Sequence, residues 1–188
     1  MTDLTSALKV CNRVFPDSKE TYKLKKYYFG LLNFIHQNDW TGACHASSSI
    51  LYVLLQEEDI DAKIYIGEAV RGSIVFDHSW VEVGGEPLDA AISNTLIEGI
   101  RFPPVFLGYD LDSGERTQTN YSFIGGSGLE AEMAFYASHT LGTYMDNFPG
   151  HPEGVWGVAR DVAKSIGQKL NLNRARRRYA DTTWDQKS

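Results

Sequence analysis

The chain has 188 residues, which is enough for one domain with a hydrophobic core and too few for two full-sized domains. Its hydrophobic fraction of 43% and charged fraction of 22% are typical of a globular protein in water. The net charge of −6 disfavours nucleic acid as the main partner, and the sequence has no apolar run of about 18 residues that would predict a membrane span.

The N-terminal residues and the cysteines bear on the cellular compartment. The first residues lack a basic segment followed by an apolar core, so we expect no secretory signal and a cytoplasmic location. Cys11 and Cys44 are too few for a disulfide framework, and a reducing cytosol would keep both thiols free. Cys11 lies near Val10 and Val14 in the sequence and is interpreted as a small buried core residue.

Three helices are predicted in the first third of the chain. The first covers residues 4–14, and the second covers 18–37 with Ser18 as its N-cap. The third, 44–57, begins at Cys44 and carries apolar residues on more than one face, which is typical of a buried central helix.

Alternating apolar residues then indicate antiparallel strands. Strands are predicted over 62–70 and 73–83, and Gly84-Gly85 predicts a two-residue turn that returns the chain along 86–91. The remaining predicted elements are a hairpin of 105–111 with 118–123, a glycine-rich linker or flap at 125–128, and helices over 129–144 and 153–170.

Helices and strands occur in separate runs, which predicts an α+β fold. We expect a single domain over residues 1–170, with the Cys-bearing helix packed on an antiparallel sheet and extra helices at the C-terminal end. The polar segment 171–188 is expected to be a partly disordered tail. Its basic run around Arg176 is interpreted as a solvated helix end or tail, with a site for an acidic partner as the alternative.

Cys44, His78 and Asp89 are the candidate catalytic residues. A thiol nucleophile, an imidazole base and an orienting carboxylate are the parts of a cysteine hydrolase or acyltransferase. At a helix start, unpaired backbone N–H groups and the helix dipole favour the thiolate of Cys44, and Gly42 allows close backbone approach. The backbone N–H of Cys44 is itself a candidate oxyanion donor.

The predicted two-residue turn brings His78 close to Asp89. Pairing about the middle of that turn sets Trp80 opposite Asp89, so His78 lies diagonal to Asp89 on the same face. Neighbours on one face of adjacent strands are close enough for a carboxylate–imidazole hydrogen bond. Asp77 points to the opposite face, so Asp89 is the preferred partner of His78.

These residues resemble those of the transglutaminase-like superfamily of papain-type cysteine enzymes. The resemblance rests on three segments within residues 40–92: Gly42-Ala-Cys44-His-Ala-Ser, Asp77-His78-Ser-Trp80-Val-Glu82-Val, and Pro87-Leu-Asp89-Ala. It implies that Cys44 is the nucleophile, His78 the general base and acid, and Asp89 the orienting residue, in a transglutaminase-like core. The short spacing looks most like that of small bacterial transglutaminase-like cysteine proteases, including those that cut lasso-peptide precursors.

The second oxyanion donor is left open among Gln37, Asn38 and Trp40. Papain-type enzymes often use a Gln shortly before the Cys, and some transglutaminases use a Trp indole N–H. His45 and Trp80 are candidate cleft residues, with core packing as the alternative for each. His45 is interpreted as poorly placed to act as the base, because adjacent helical side chains point about 100° apart.

The predicted function is hydrolysis of an amide bond through a thioester on Cys44, by a peptidase or glutamine deamidase. Acyl transfer to an amine, use of an acyl-CoA donor, and a non-catalytic binding module are the alternatives. Hydrolysis is favoured because a small exposed domain offers no evident way to exclude water. We expect a protein or peptide substrate, no cofactor and no metal, since the remaining histidines lack partners at ligand spacing.

Overall fold

Three helices open the chain in the computed structural model, which describes residues 3–97, 100–122 and 129–187. Their bounds agree with the sequence prediction to within one residue: α1 (Leu4–Val14), α2 (Lys19–Gln37) and α3 (Cys44–Gln56). The Ser18 hydroxyl caps α2 by accepting the Thr21 N–H at 3.1 Å, and the Thr21 hydroxyl accepts the Ser18 N–H in return. This reciprocal capping box starts α2 where the sequence places it.

Antiparallel strands form one larger and one smaller sheet. The strands are β1 (Ala62–Arg71), β2 (Ile74–Val83), β3 (Glu86–Leu88), β4 (Val105–Phe106), β5 (Tyr109–Asp110) and β6 (Asn120–Ser122). The larger sheet has the order β3-β2-β1-β6, and β4 pairs with β5 separately. Together with the helices, this architecture confirms the predicted α+β class.

The register between β2 and β3 is the one that the sequence predicts. Val81 lies opposite Leu88, so a continuation of the ladder would set position 80 opposite 89. Gly84 and Gly85 form the turn at φ of 61° and 81°. Two successive positive φ angles favour glycine and match the right-handed twist of the flanking strands, which fixes the register.

The returning strand is shorter than predicted. The sequence predicts a strand over 86–91, but β3 ends at Leu88 and a 3₁₀ helix, Ala91–Asn94, follows. The Ile92 N–H donates to Oδ1 of Asp89 at 3.1 Å. This side-chain acceptor favours a turn over further extended pairing.

The prediction that 105–111 and 118–123 form a hairpin is wrong. Leu107 and Gly108 reverse the chain at φ of 47° and 75°, so β4 pairs with the nearby β5. β6 pairs instead with β1, where Tyr121 lies opposite Ala69. The glycine-rich segment 125–128 lies outside the described residues.

Four helices follow the strands within the described residues. They are α4 (Ala131–Ala137), α5 (Leu141–Asn147), α6 (Gly154–Ser165) and α7 (Leu172–Tyr179). The helix predicted over 129–144 is divided, because the Thr140 hydroxyl accepts the Thr143 N–H and starts α5 as a new helix. The helix predicted over 153–170 ends at Ser165, and Gly167 follows at a φ of 71°.

The C-terminal segment contains regular structure where its polar composition predicts a tail. Tyr179 of α7 and Trp184 are buried. The Ile66 N–H donates to the Asp185 carbonyl at 2.9 Å, so the last residues pair along β1. These two aromatic side chains and the backbone pairing explain why the segment packs against the domain.

The basic run of the same segment forms ion pairs within the chain. Arg174 pairs with Glu57 at the end of α3, and Arg176 pairs with Asp146 at 3.2 Å. Arg174 and Arg176 therefore join α7 to the end of α3 and to α5.

Helix α3 lies in the middle of the domain. It contacts β1 and β2 of the larger sheet and the helices α2 and α6, and Ile50 and Leu55 are fully buried. This packing places the first residue of α3, Cys44, beside the sheet.

Within the described residues, no helix combines the length and the apolar character needed to cross a bilayer.

Candidate active site

Cys44 occupies the N-terminal end of α3. The N-cap residue Ala43 gives no side-chain hydrogen bond, so the N–H groups of the first helical turn have no capping side chain. Gly42 precedes it at a φ of 65°, and its N–H donates to the Asn94 carbonyl at 3.1 Å. This turn presents the half-buried Cys44 thiol to a cavity next to the free end of the helix dipole.

His78 and Asp89 form a buried hydrogen-bonded pair. The Nε2 atom of His78 lies 2.7 Å from Oδ2 of Asp89, and their side chains are 3% and 2% exposed. This is the diagonal contact that the strand register predicts. Because Nε2 is engaged with Asp89, Nδ1 is the imidazole nitrogen left for the Cys44 sulfur.

Three further groups hold Asp89 in place. The Tyr121 hydroxyl donates to Oδ2 at 2.9 Å, and the Ile92 N–H donates to Oδ1. The Tyr28 hydroxyl donates to the Asp89 backbone carbonyl at 3.1 Å. Sequence reasoning missed both tyrosines, since they come from α2 and β6 and no local motif marks them.

The electrostatics favour a thiolate–imidazolium pair. Burial alone would raise the pKa of the Cys44 thiol, but the charges and hydrogen bonds of His45 and His78 lower that pKa to about 5. Burial alone would lower the pKa of His78, but Asp89 and Cys44 raise that pKa to about 10. Between these two values the pair carries one negative sulfur and one positive imidazole, which is the reactive state of a cysteine nucleophile.

The position of His45 differs from the sequence interpretation. Its Nδ1 atom lies 3.2 Å from the Cys44 sulfur, although the two residues are neighbours on a helix. At the first turn, the Cys44 side chain is not confined by a preceding turn, so a backbone separation of about 100° does not keep the two side chains apart. His45 also lines the cavity, as the sequence interpretation allowed.

The cavity in front of Cys44 has a volume of about 400 Å³, within the range of small-molecule sites. Apolar side chains form much of its wall, and three acidic residues lie among them. The apolar residues include Val75, Phe76, Leu96, Ile97 and Met133, and the acidic ones are Asp77, Glu130 and Glu132.

The three candidate oxyanion residues do not line this cavity. Gln37 is exposed, and the Asn38 side-chain amide donates to the Phe34 carbonyl at 2.8 Å. Trp40 packs against the rings of Phe34 and Phe148. The backbone N–H groups at the start of α3, including that of Cys44, are the donors that face the cavity end of the helix.

Trp80 lies in the core and not on the cavity wall. Its ring stacks on Tyr65 and contacts Tyr121, and its indole N–H donates to Glu82 at 3.0 Å. The alternation places it on the His78 face as predicted, but there the ring of Tyr121 packs against it. Asp77 points the other way and accepts the Glu130 N–H at 2.7 Å.

The described residues contain no group of three or more His, Cys, Asp or Glu side chains suited to a metal ion. His36 contacts Ser93, and His151 pairs with Asp161. These histidines therefore have local structural partners.

Part of the chain is similar to a known protein. The chain is 34% identical over 80 residues to the microcin J25-processing protein McjB of Escherichia coli. The similar segment covers 43% of this chain and 37% of that protein, so the chain spans well under two thirds of the relative's length. The likeness is weakly consistent with the transglutaminase-like superfamily. No protein-family model matches the chain, and no solved structure matches it.

Proposed function

We propose that this chain is a cysteine-dependent amide hydrolase of transglutaminase-like type, with a single domain that includes the C-terminal segment packed on β1. The observation that carries the proposal is the His78–Asp89 pair at 2.7 Å beside a Cys44 whose thiol pKa is about 5. Cys44 is the nucleophile, His78 the general acid and base, and Asp89 the residue that orients His78.

The first half of the reaction makes a thioester. The Cys44 thiolate attacks the carbonyl carbon of an amide, and the backbone N–H groups at the start of α3 donate to the oxyanion. When the tetrahedral intermediate collapses, the C–N bond breaks and the Nδ1 proton of His78 passes to the leaving nitrogen. Asp89 holds the imidazole in the orientation that makes this transfer possible.

The second half regenerates the site. Neutral His78 takes a proton from water, whose oxygen attacks the thioester carbon. The C–S bond then breaks, which releases a carboxylic acid and restores the thiolate–imidazolium pair. Hydrolysis is favoured over transfer to an amine because Cys44 is only half-buried and the cavity wall residues Val75 and Leu96 are 55% and 76% exposed, which leaves the site open to water.

The cavity favours a peptide substrate. Its apolar wall suits an apolar side chain next to the scissile bond, and its acidic residues suit a basic side chain nearby. The likeness to a protein that processes microcin J25 supports a peptide as the substrate class.

A defined pool of synthetic peptides that combine apolar and basic residues tests this function. Products are read by mass spectrometry in ¹⁸O-labelled water, with and without an added primary amine. Peptide hydrolysis gives new C-termini carrying ¹⁸O, deamidation changes Gln to Glu, and acyl transfer attaches the amine.

Matched cysteine variants control the experiment. Cys44→Ala and His78→Ala are expected to abolish product formation, whereas Cys11→Ala is expected to keep it, because Cys11 is buried in the core away from the cavity. If no product depends on Cys44, the proposed function is wrong. If only amine-labelled products appear, the acyltransferase alternative replaces hydrolysis.

A further inference from the structure

A second imidazole contacts the Cys44 sulfur. The Nδ1 atom of His45 lies 3.2 Å from Sγ, within hydrogen-bonding distance for a sulfur acceptor. His78 on β2 lines the same cavity and also lowers the pKa of the Cys44 thiol, so imidazoles from two separate elements act on this sulfur. The proposed mechanism uses His78 and leaves His45 without a role.

The surroundings of His45 fix its ring. The rings of Tyr136, Tyr144 and Trp184 lie 5.4, 5.7 and 5.7 Å from it, centroid to centroid. These three residues, here called the aromatic box, come from α4, α5 and the C-terminal segment. Nε2 of His45 is buried and has no hydrogen-bond partner among the described residues.

This geometry assigns an N–H to Nδ1 of His45, directed at the sulfur. An N–H at Nε2 would be buried without an acceptor, whereas an N–H at Nδ1 points to the sulfur. His45 also lacks a carboxylate partner like the one that Asp89 gives His78. It is therefore suited to donate a standing hydrogen bond and not to pass protons.

We propose that His45 is a positioning residue that donates its Nδ1–H to the Cys44 sulfur and stabilises the thiolate independently of His78. The two imidazoles then divide the work: His45 holds the charged nucleophile, and His78 moves the proton. This inference rests on the proposed role of Cys44 as nucleophile, but its test reads the thiol directly.

Other titratable groups surround the same pair, and the test must leave them unchanged. They are His78 and Asp77 on β2, Glu132 and Tyr136 on α4, Glu130 before α4, and Tyr144 on α5. The thiolate raises the pKa of Tyr144 further above the level that burial sets, so this hydroxyl stays neutral in the pH range of the test.

Two substitutions separate the hydrogen bond from the packing. His45→Phe keeps a ring inside the aromatic box but removes the donor. His45→Asn removes most of the ring but keeps an N–H donor near the position of Nδ1. Both are made in the Cys11→Ala background, and the rate of Cys44 alkylation by iodoacetamide is measured against pH.

The expected result is a separation of the two variants. The parent midpoint is expected near pH 5, and His45→Phe is expected to move it up by about one pH unit or more, with alkylation about tenfold slower at lower pH. The alkylation midpoint of His45→Asn is expected to stay closer to that of the parent than the midpoint of His45→Phe does, although Asn packs less well in the aromatic box. The proposal is overturned if the alkylation midpoint of His45→Phe equals that of the parent, or if the midpoints of both variants shift by the same amount.

A third variant keeps this test separate from the proposed function. His78→Ala is expected to lose amide turnover. Its Cys44 alkylation midpoint should still lie below that of an ordinary thiol, because His45 remains. If His78→Ala raises the midpoint to the ordinary value of 9.0, His45 does not stabilise the thiolate. Failure of the peptide assay alone would leave these alkylation results unaffected and would count only against hydrolysis.

Discussion

The Tyr121 hydroxyl donates to Oδ2 of Asp89 at 2.9 Å. The same oxygen receives the Nε2–H of His78, so one carboxylate oxygen has two buried donors. Burial and the charge of Asp89 raise the pKa of Tyr121 well above its ordinary value, which keeps the hydroxyl protonated as a donor. Strand β6 thus supports the pair that β2 and the end of β3 bring together.

Tyr121→Phe should therefore destabilise the protein and the site. A hydrogen bond to a buried carboxylate contributes about 1.5–3 kcal/mol, so the free energy of unfolding in urea is expected to fall by roughly that amount. Tyr22→Phe is the matched control, because Tyr22 is 61% exposed and its change should be within about 0.5 kcal/mol. Equal stability of the two variants would show that the contact with Asp89 contributes nothing.

Asp89→Asn tests the orienting residue. Among the causes that raise the pKa of His78, the charge of Asp89 is the largest. In Asp89→Asn the pKa of His78 should therefore fall, and the imidazolium should lose its proton at a lower pH than in the parent. Amide turnover is expected to drop roughly 10²- to 10⁴-fold. Asp110→Asn is the control, since Asp110 is buried but pairs with Arg71. It should cost stability and keep turnover, and a similar loss of turnover in both variants would contradict the assignment.

Local sequence signals were sufficient for much of this architecture. The capping residue Ser18 and the helix start at Cys44 are short-range features, and the structure has them as predicted. The Gly84-Gly85 turn fixed the β2–β3 register, and with it the His78–Asp89 contact. These features depend on neighbours within a few residues or on one tight turn.

The rest depended on contacts between distant segments. The pairing of β6 with β1 placed the Tyr121 side chain against both Asp89 and Trp80, and no local pattern specifies such a pairing. The packing of α4, α5 and Trp184 around His45 depends likewise on tertiary structure. The prediction from backbone direction placed the His45 ring away from Cys44, and it was wrong because side-chain rotation brings Nδ1 to 3.2 Å from the sulfur.

Leu96→Ser tests the apolar wall of the cavity. Leu96 is 76% exposed in the free protein, so the substitution should change stability by less than about 0.5 kcal/mol. If a substrate covers this side chain, KM should rise roughly fivefold, which corresponds to about 1 kcal/mol of lost apolar contact. Leu8→Ser is the control, because Leu8 is 40% exposed on α1 and does not line the cavity. Equal KM values for the two variants would exclude Leu96 from the substrate site.

Trp184→Ala tests the packing of the C-terminal segment. Trp184 is 5% exposed and contacts both His45 and Tyr144. Loss of a buried tryptophan side chain is expected to cost about 3–5 kcal/mol in the free energy of unfolding. Lys187→Ala removes an ion pair with Glu82 and should cost no more than about 1–2 kcal/mol. A change of less than about 1 kcal/mol for Trp184→Ala would contradict the packed segment.

The pH dependence of Cys44 alkylation tests the central claim most directly. Iodoacetamide labelling of the unmodified chain is followed by peptide mass spectrometry from about pH 4 to about pH 10. Because the pKa of Cys44 is lowered, its thiolate should persist down to a midpoint near pH 5, well below the ordinary thiol value of 9.0. Cys11 should remain unlabelled in the folded protein, since burial raises its pKa to about 12. A Cys44 midpoint near pH 9, or labelling of Cys44 no faster than that of Cys11, would contradict the proposed nucleophile.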